Sequence, residues 1–100
     1  MLKPLRETVA REIGSAQCAR KNADCSGRIT VEHPFGRKVQ KRWMFCYLCE
    51  AHHLGKFLNK EINKHICYQQ ATDKEIQNTF PKTFTQHLQA KSYLVQKYGC

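Results

Sequence analysis

The sequence predicts a small α+β fold: an N-terminal helix, a central strand-turn-strand-helix (ββα) core, and additional C-terminal helices. Three observations predict it. A β-branched run stopped by Pro34 is followed, past a turn glycine, by an aromatic-rich run. On either side of this pair, apolar residues recur at three- and four-residue steps. Cysteines and histidines crowd into residues 18–53, around the predicted hairpin.

Leu2, Leu5, Val9, Ile13 and Ala16, with charges between them, give an amphipathic helix over about 4–17 that ends near Gly14 to Gln17. Asn22, Asp24, Ser26 and Gly27 mark a polar loop with a cysteine on each side. Residues 28–33 read as a strand, Gly36 as a turn, and 39–48 as a second strand pairing with the first. Residues 50–58 look helical despite Gly55, and a further helix over 59–68 places Leu58, Ile62 and Ile66 on one face. Thr72 and Glu75 have capping-box spacing for a short helix that stops before Pro81. Phe84, Leu88, Val95 and Tyr98 define a last helix over 83–98, with Gly99 where a C-cap belongs. With no repeat or linker, 1–100 reads as one domain, its ββα core at about 18–60 and its C-terminal helical part at about 61–98.

Seventeen Lys and Arg against eight Asp and Glu give a net charge of +9, which suits a polyanionic partner. A ribosomal-type or membrane-surface protein shares this imbalance. No stretch approaches the roughly 18 apolar residues of a membrane span, and the first residues contain no apolar h-region. A cytoplasmic, reducing location is therefore expected. There, six cysteines read as metal ligands, core residues or free thiols rather than a disulfide framework.

Zinc takes four N or S ligands, usually supplied as two close pairs. Cys18 and Cys25 form a wide first pair, and Cys49 and His52 a tight one at the junction of strand and helix. Cys46 and Cys49 are the competing tight pair. Period-two alternation puts Cys46 on the face opposite Trp43, Phe45 and Tyr47, so it reads as a small buried residue. Cys67 reads as core or a free thiol, and the terminal Cys100 as uninvolved. The expected structural zinc ligands are Cys18, Cys25, Cys49 and His52, because a small core gains from such a staple.

The run CSGRITVEH at 25–33, followed by LCEAHH at 48–53, resembles the HNH (ββα-metal) nuclease family, and more narrowly small phage-borne HNH proteins. GRKVQKRW at 36–43, LNKEIN at 58–63 and ATD at 71–73 are similar to theirs as well, so the likeness covers roughly 18–99. It implies a ββα-metal core that holds one divalent ion, and a phage or bacterial origin. It further implies that Glu32 and His53 bind the catalytic ion, that His33 is the general base, and that Cys49 and His52 form the zinc knuckle. The family's Asn at the start of the second strand, which orients the base, has no counterpart in this hairpin. Gln40 is the nearest chemical substitute. The hairpin loop is short, with fifteen residues between His33 and Cys49.

These residues suit phosphodiester hydrolysis. A neutral imidazole with a pKa of roughly 6.5 accepts a proton from water near pH 7, and a Mg²⁺-like ion on Glu32 and His53 stabilises the leaving oxygen. Neighbouring strand residues face opposite ways, so Glu32 and His33 need a local distortion to converge, and Pro34 offers one. Arg28, Arg37, Lys38, Lys41, Arg42 and Lys56, with Lys60 and Lys64, are the expected phosphate contacts for DNA or RNA. Trp43 and Phe45 are expected in the core rather than stacked on bases. The expected function is a metal-dependent DNA endonuclease. The alternatives are a catalytically silent, zinc-bound nucleic-acid-binding module and a zinc-stabilised protein-interaction domain.

Overall fold

The structure, a computed structural model, describes residues 1–99, so the expectation for Cys100 lies outside the described residues. Its architecture is α+β, in the order α1 (Lys3–Glu12), β1 (Ile29–Glu32), β2 (Cys46–Cys49), α2 (Glu50–His53), α3 (Lys60–Gln69), α4 (Asp73–Thr79) and α5 (Phe84–Tyr98). Pro4 lies in the first turn of α1, where its missing N–H costs nothing. A 3-10 turn over Ile13–Ser15 ends this segment two residues before the predicted limit. Leu5, Val9, Ile13 and Ala16 are the face packed on the core. Glu12 ties the helix to the hairpin, its Oε1 accepting from Arg42 Nε at 3.1 Å and from the Tyr47 hydroxyl at 2.8 Å.

The two strands are antiparallel and pair Ile29 with Cys49, Thr30 with Leu48, Val31 with Tyr47 and Glu32 with Cys46. The second strand is therefore four residues long, not the ten predicted over 39–48. Pro34 has no N–H to extend the ladder. Upstream of Cys46 the chain instead makes a 3-10 turn at Arg42–Met44, which buries Trp43 and Met44. The carbonyls of Trp43 and Phe45, which a longer strand would have paired, accept from Gln70 Nε2 at 3.1 and 2.8 Å. Trp43 stacks near Tyr68 of α3 and donates from Nε1 to Thr79 of α4. Trp43 and Phe45 are core residues, as expected.

The helix predicted over 50–58 is one turn, α2. Gly55 N–H bonds back to the Glu50 carbonyl, and a Cβ there would lie 3.0 Å from the Ala51 Cα, a tight contact that favours glycine at this reversal. The last two helices follow the expected caps, and α3 adds a cap that was not expected. Asn59 accepts from the Ile62 N–H at the start of α3, and Thr72 and Glu75 form both bonds of a capping box on α4. Gly99, at φ 83°, ends α5.

Two apolar clusters result. The larger joins Trp43, Phe45 and Tyr47 to Tyr68, Ile76 and Leu94, and the smaller joins Cys18, Cys46, Leu48, Cys49 and Cys67. Among the described residues no helix is long and apolar enough to cross a membrane. Replacing Gln70 with Ala removes the donor shared by two carbonyls of the 3-10 segment. It is expected to cost about 1 kcal/mol, read as a lower urea midpoint with an unchanged m-value.

Candidate metal centre and adjoining cleft

Cys18 and Cys25 flank the polar loop, Cys49 ends β2, and His52 lies one turn into α2. The loop is laid against the hairpin by backbone bonds: Ala19 N–H to the Tyr47 carbonyl, Glu50 N–H to the Arg28 carbonyl, and Ala51 N–H to the Ser26 carbonyl. Gly27, at φ 83°, lets the chain pass where a Cβ would meet Glu50 Cβ at 2.7 Å. The outcome is a cluster in which the ligand atoms of Cys18, Cys25, Cys49 and His52 all lie within 4.8 Å of one another.

His52 turns Nδ1 to the sulfurs, 3.5 Å from Cys18 Sγ, 3.7 Å from Cys25 Sγ and 3.0 Å from Cys49 Sγ. In a tetrahedral zinc site with bonds of about 2.3 Å to sulfur and about 2.0 Å to nitrogen, each S···N edge is about 3.5 Å. The cluster fits that geometry, with the Cys49 edge somewhat short. A zinc-bound sulfur is a thiolate. Burial pushes the Cys49 thiol up, but the backbone groups of His52 and Ser26 and the side chains of His52 and Cys18 outweigh it, bringing the group down to about 6. The Cys18 thiol is raised, chiefly by burial. His52 Nε2 is buried without a partner, an unmet N–H that costs about 1–3 kcal/mol. Structural zinc in small domains supplies about 10–16 kcal/mol, so the ion outweighs that cost. The Cys18/Cys25/Cys49/His52 site can hold a zinc ion. Cys46 is buried at the other end of β2, three pairs from Cys49, and stands outside the cluster.

His53 belongs to a different site. Successive helix residues diverge by about 100°, so α2 sends His52 to the sulfurs and His53 toward β1. Thr30 Oγ1 donates to the Leu48 carbonyl at 2.8 Å, so it can only accept from His53 Nδ1 at 2.7 Å. His53 Nδ1 therefore carries a proton, and Nε2 faces Glu32 Oε1 at 3.7 Å. In the neutral ring, a lone pair confronts a carboxylate oxygen across a gap too long for a hydrogen bond. A cation about 2.0–2.2 Å from each atom fits between them.

Glu32 is 7% exposed, and its Oε2 accepts from Asn63 Nδ2 at 3.0 Å. His33 is half-buried just beyond β1, where the chain turns at Pro34 and the Gly36 N–H closes on the His33 carbonyl. Leaving the strand at that point is the distortion that adjacent strand residues require. Glu32, His33 and His53 line one cleft of about 430 Å³, shared with Arg37, Lys60, Leu54 and Leu58.

Gln40 is exposed and lies outside that lining. Arg42 is engaged within the fold, its guanidinium paired with Glu12 and 4.3 Å from the Phe45 ring centroid. Arg28 is exposed and pairs with Glu50, and Lys56 lies 5.7 Å from the Phe57 ring centroid. Lys38, Lys41 and Lys64 are exposed.

Sequence reasoning missed Thr30 and Asn63. Thr30 was detectable, because it lies two residues before Glu32 and so shares its strand face. Asn63 gave a weaker signal, a polar residue one turn before the buried Cys67 on a face that packs inward.

Comparison of the chain with known protein families, curated proteins and solved structures finds no match. What is established is a β-hairpin followed by a helix, with a Cys3His cluster able to bind a metal.

Purified protein is expected to hold one zinc per chain. Cys49→Ala and His52→Ala should lose the metal and melt well below wild type, whereas Cys46→Ala should keep it and His53→Ala should keep both metal and fold. Elemental analysis beside a thermal melt checks all four. Loss of zinc in His53→Ala but not in His52→Ala would shift the ligand assignment by one residue.

Proposed function

We propose that the protein is a metal-dependent endonuclease of the HNH type, hydrolysing DNA phosphodiester bonds. One observation carries the reading: His33 shares a cleft with the Glu32–His53 pair, and two cations, Arg37 and Lys60, line the same cleft. A base, an ion-binding pair and phosphate-binding charge are the three things this hydrolysis needs. Zinc at the Cys3His cluster serves the scaffold in this reading, fixing the turn of α2 that presents His53.

Glu32 and His53 would hold a divalent cation such as Mg²⁺. Bound there, the ion supplies charge for the leaving 3′ oxygen. His33 takes the proton of the attacking water as general base. Arg37 and Lys60 bind phosphates, fixing the scissile group without reading sequence. Thr30 holds the His53 ring so that Nε2 rather than Nδ1 faces the ion, the usual arrangement for a ligating histidine.

A second reading, a catalytically silent zinc-bound nucleic-acid-binding module, is favoured by the place of Gln40. Exposed and away from the cleft, it does not orient His33, and the hairpin offers no Asn for that task.

Plasmid nicking with Mg²⁺, Mn²⁺ or Ni²⁺, with and without EDTA, separates the two. Wild type is expected to nick with at least one ion and to stop in EDTA. His33→Ala should remain folded and zinc-loaded while its rate falls by roughly 10² to 10⁴, and His53→Ala should stay folded but stop nicking. Wild-type protein inert with every ion, yet binding DNA with a steep salt dependence, makes the silent module the better account. A flat salt dependence removes both.

A further inference from the structure

Asn63 lies in the first half of α3 and is 0% exposed. Its amide bridges to Glu32, with Nδ2 at 3.0 Å from Oε2. The amide orientation follows from chemistry, since a carboxylate only accepts and the end facing it must be the NH₂. The other end, Oδ1, is buried with no partner. A leucine would fill much the same space without stranding an acceptor, so an asparagine here weakens the fold unless its NH₂ is needed.

Two features pin this amide in place. The Asn59 side chain caps α3, and the Asn63 N–H bonds to the Asn59 carbonyl at 3.1 Å, so the start of the helix is fixed. One turn further on, Cys67 packs in the same cluster as Cys46, the cross-strand partner of Glu32. The helix face bearing Asn63 is thereby seated against the end of the hairpin.

We propose that Asn63 is a positioning residue for the ion site: by occupying Glu32 Oε2 it leaves Oε1 alone to face His53 Nε2. The inference rests on the reading of Glu32 and His53 as ion ligands, and it deepens that reading. Glu32 and His53 are then each held from behind by a residue of another element, His53 by Thr30 of β1 and Glu32 by Asn63 of α3. Without the amide, the carboxylate can rotate and lose the one-oxygen presentation, while His53 stays in place.

The test is calorimetric titration of Mn²⁺ into the zinc-loaded full chain, for wild type, Asn63→Leu and Glu32→Ala. Asn63→Leu should keep its zinc and bind Mn²⁺ about 10–100-fold more weakly. Equal Mn²⁺ affinity in wild type and Asn63→Leu overturns the positioning role and leaves the ion site standing. Equal affinity in wild type and Glu32→Ala removes the ion site itself, and the positioning role with it. The melting temperature of the double variant Glu32→Met with Asn63→Leu decides the matter even if the single variant fails to fold. Replacing both members of a buried polar pair by apolar groups of similar size is near neutral or stabilising, so the double variant should melt at or above wild type and bind no Mn²⁺ in the cleft. A double variant melting well below wild type makes the pair a structural contact and overturns the proposal.

Discussion

Cys49 takes part in three structures at once. It closes the ladder opposite Ile29, it is the residue from which α2 starts, and its sulfur lies 3.0 Å from His52 Nδ1. A four-residue strand pair and a one-turn helix are each too short to persist alone, since a first helical turn is unfavourable and a bare hairpin marginal. A metal-competent tetrad that ties loop, strand and helix together lets such short elements hold fixed angles to one another. Burial of Leu48 and Cys49 adds to this, yet the apolar cluster on that side is small, and four of its five buried members are cysteines. Metal binding at this tetrad would therefore be linked to folding of the hairpin on this side of the molecule.

The neighbouring histidines show what that fixity achieves. Adjacent on one helical turn, they face two different surroundings because their side chains leave the axis in different directions. His52 faces three sulfurs in a buried pocket, and His53 faces a carboxylate at the wall of an open cleft. Any rotation of α2 moves both, so the sulfur cluster around His52 also fixes the direction in which His53 points. The Thr30 hydroxyl completes the arrangement, because its single proton is committed to the Leu48 carbonyl and the tautomer of His53 follows.

Much of this was legible in the chain. Strong local signals fixed β1, the capping box at Thr72, the stop before Pro81 and the end of α5, since each rests on a residue whose backbone preference is specific. The tetrad was legible from spacing plus the strand parity that set Cys46 apart. Residues 39–45 were misread because an apolar and aromatic run looks the same whether it pairs in a sheet or packs across helices. The decision lies with Gln70, 25 to 27 positions away. The length of α2 was misread because helical propensity past His53 is overruled by the reversal at Gly55. Asn63 was only weakly legible, for the same reason as Gln70. Its partner, Glu32, lies 31 positions away, and only the packing of α3 on the hairpin brings them together.

The positive charge divides in a way that bears on function. Among the described residues, Arg28, Arg42, Lys91 and Lys97 are in ion pairs with Glu50, Glu12, Asp73 and Glu61, whereas Arg37 and Lys60 are in none. Exposed pairs of that kind stabilise a fold by no more than about 1 kcal/mol each, but they neutralise the cations they contain. Arg42 is further withdrawn, lying over Phe45 and near Tyr47. The two cations at the cleft thus have no acidic partner of their own, beside a carboxylate whose negative charge a bound ion would cancel. On the reading proposed for this cleft, a divalent cation between Glu32 and His53 would cancel the carboxylate's charge and leave the cleft positive. Ion binding and polyanion binding would then be coupled, each strengthening the other by the same factor.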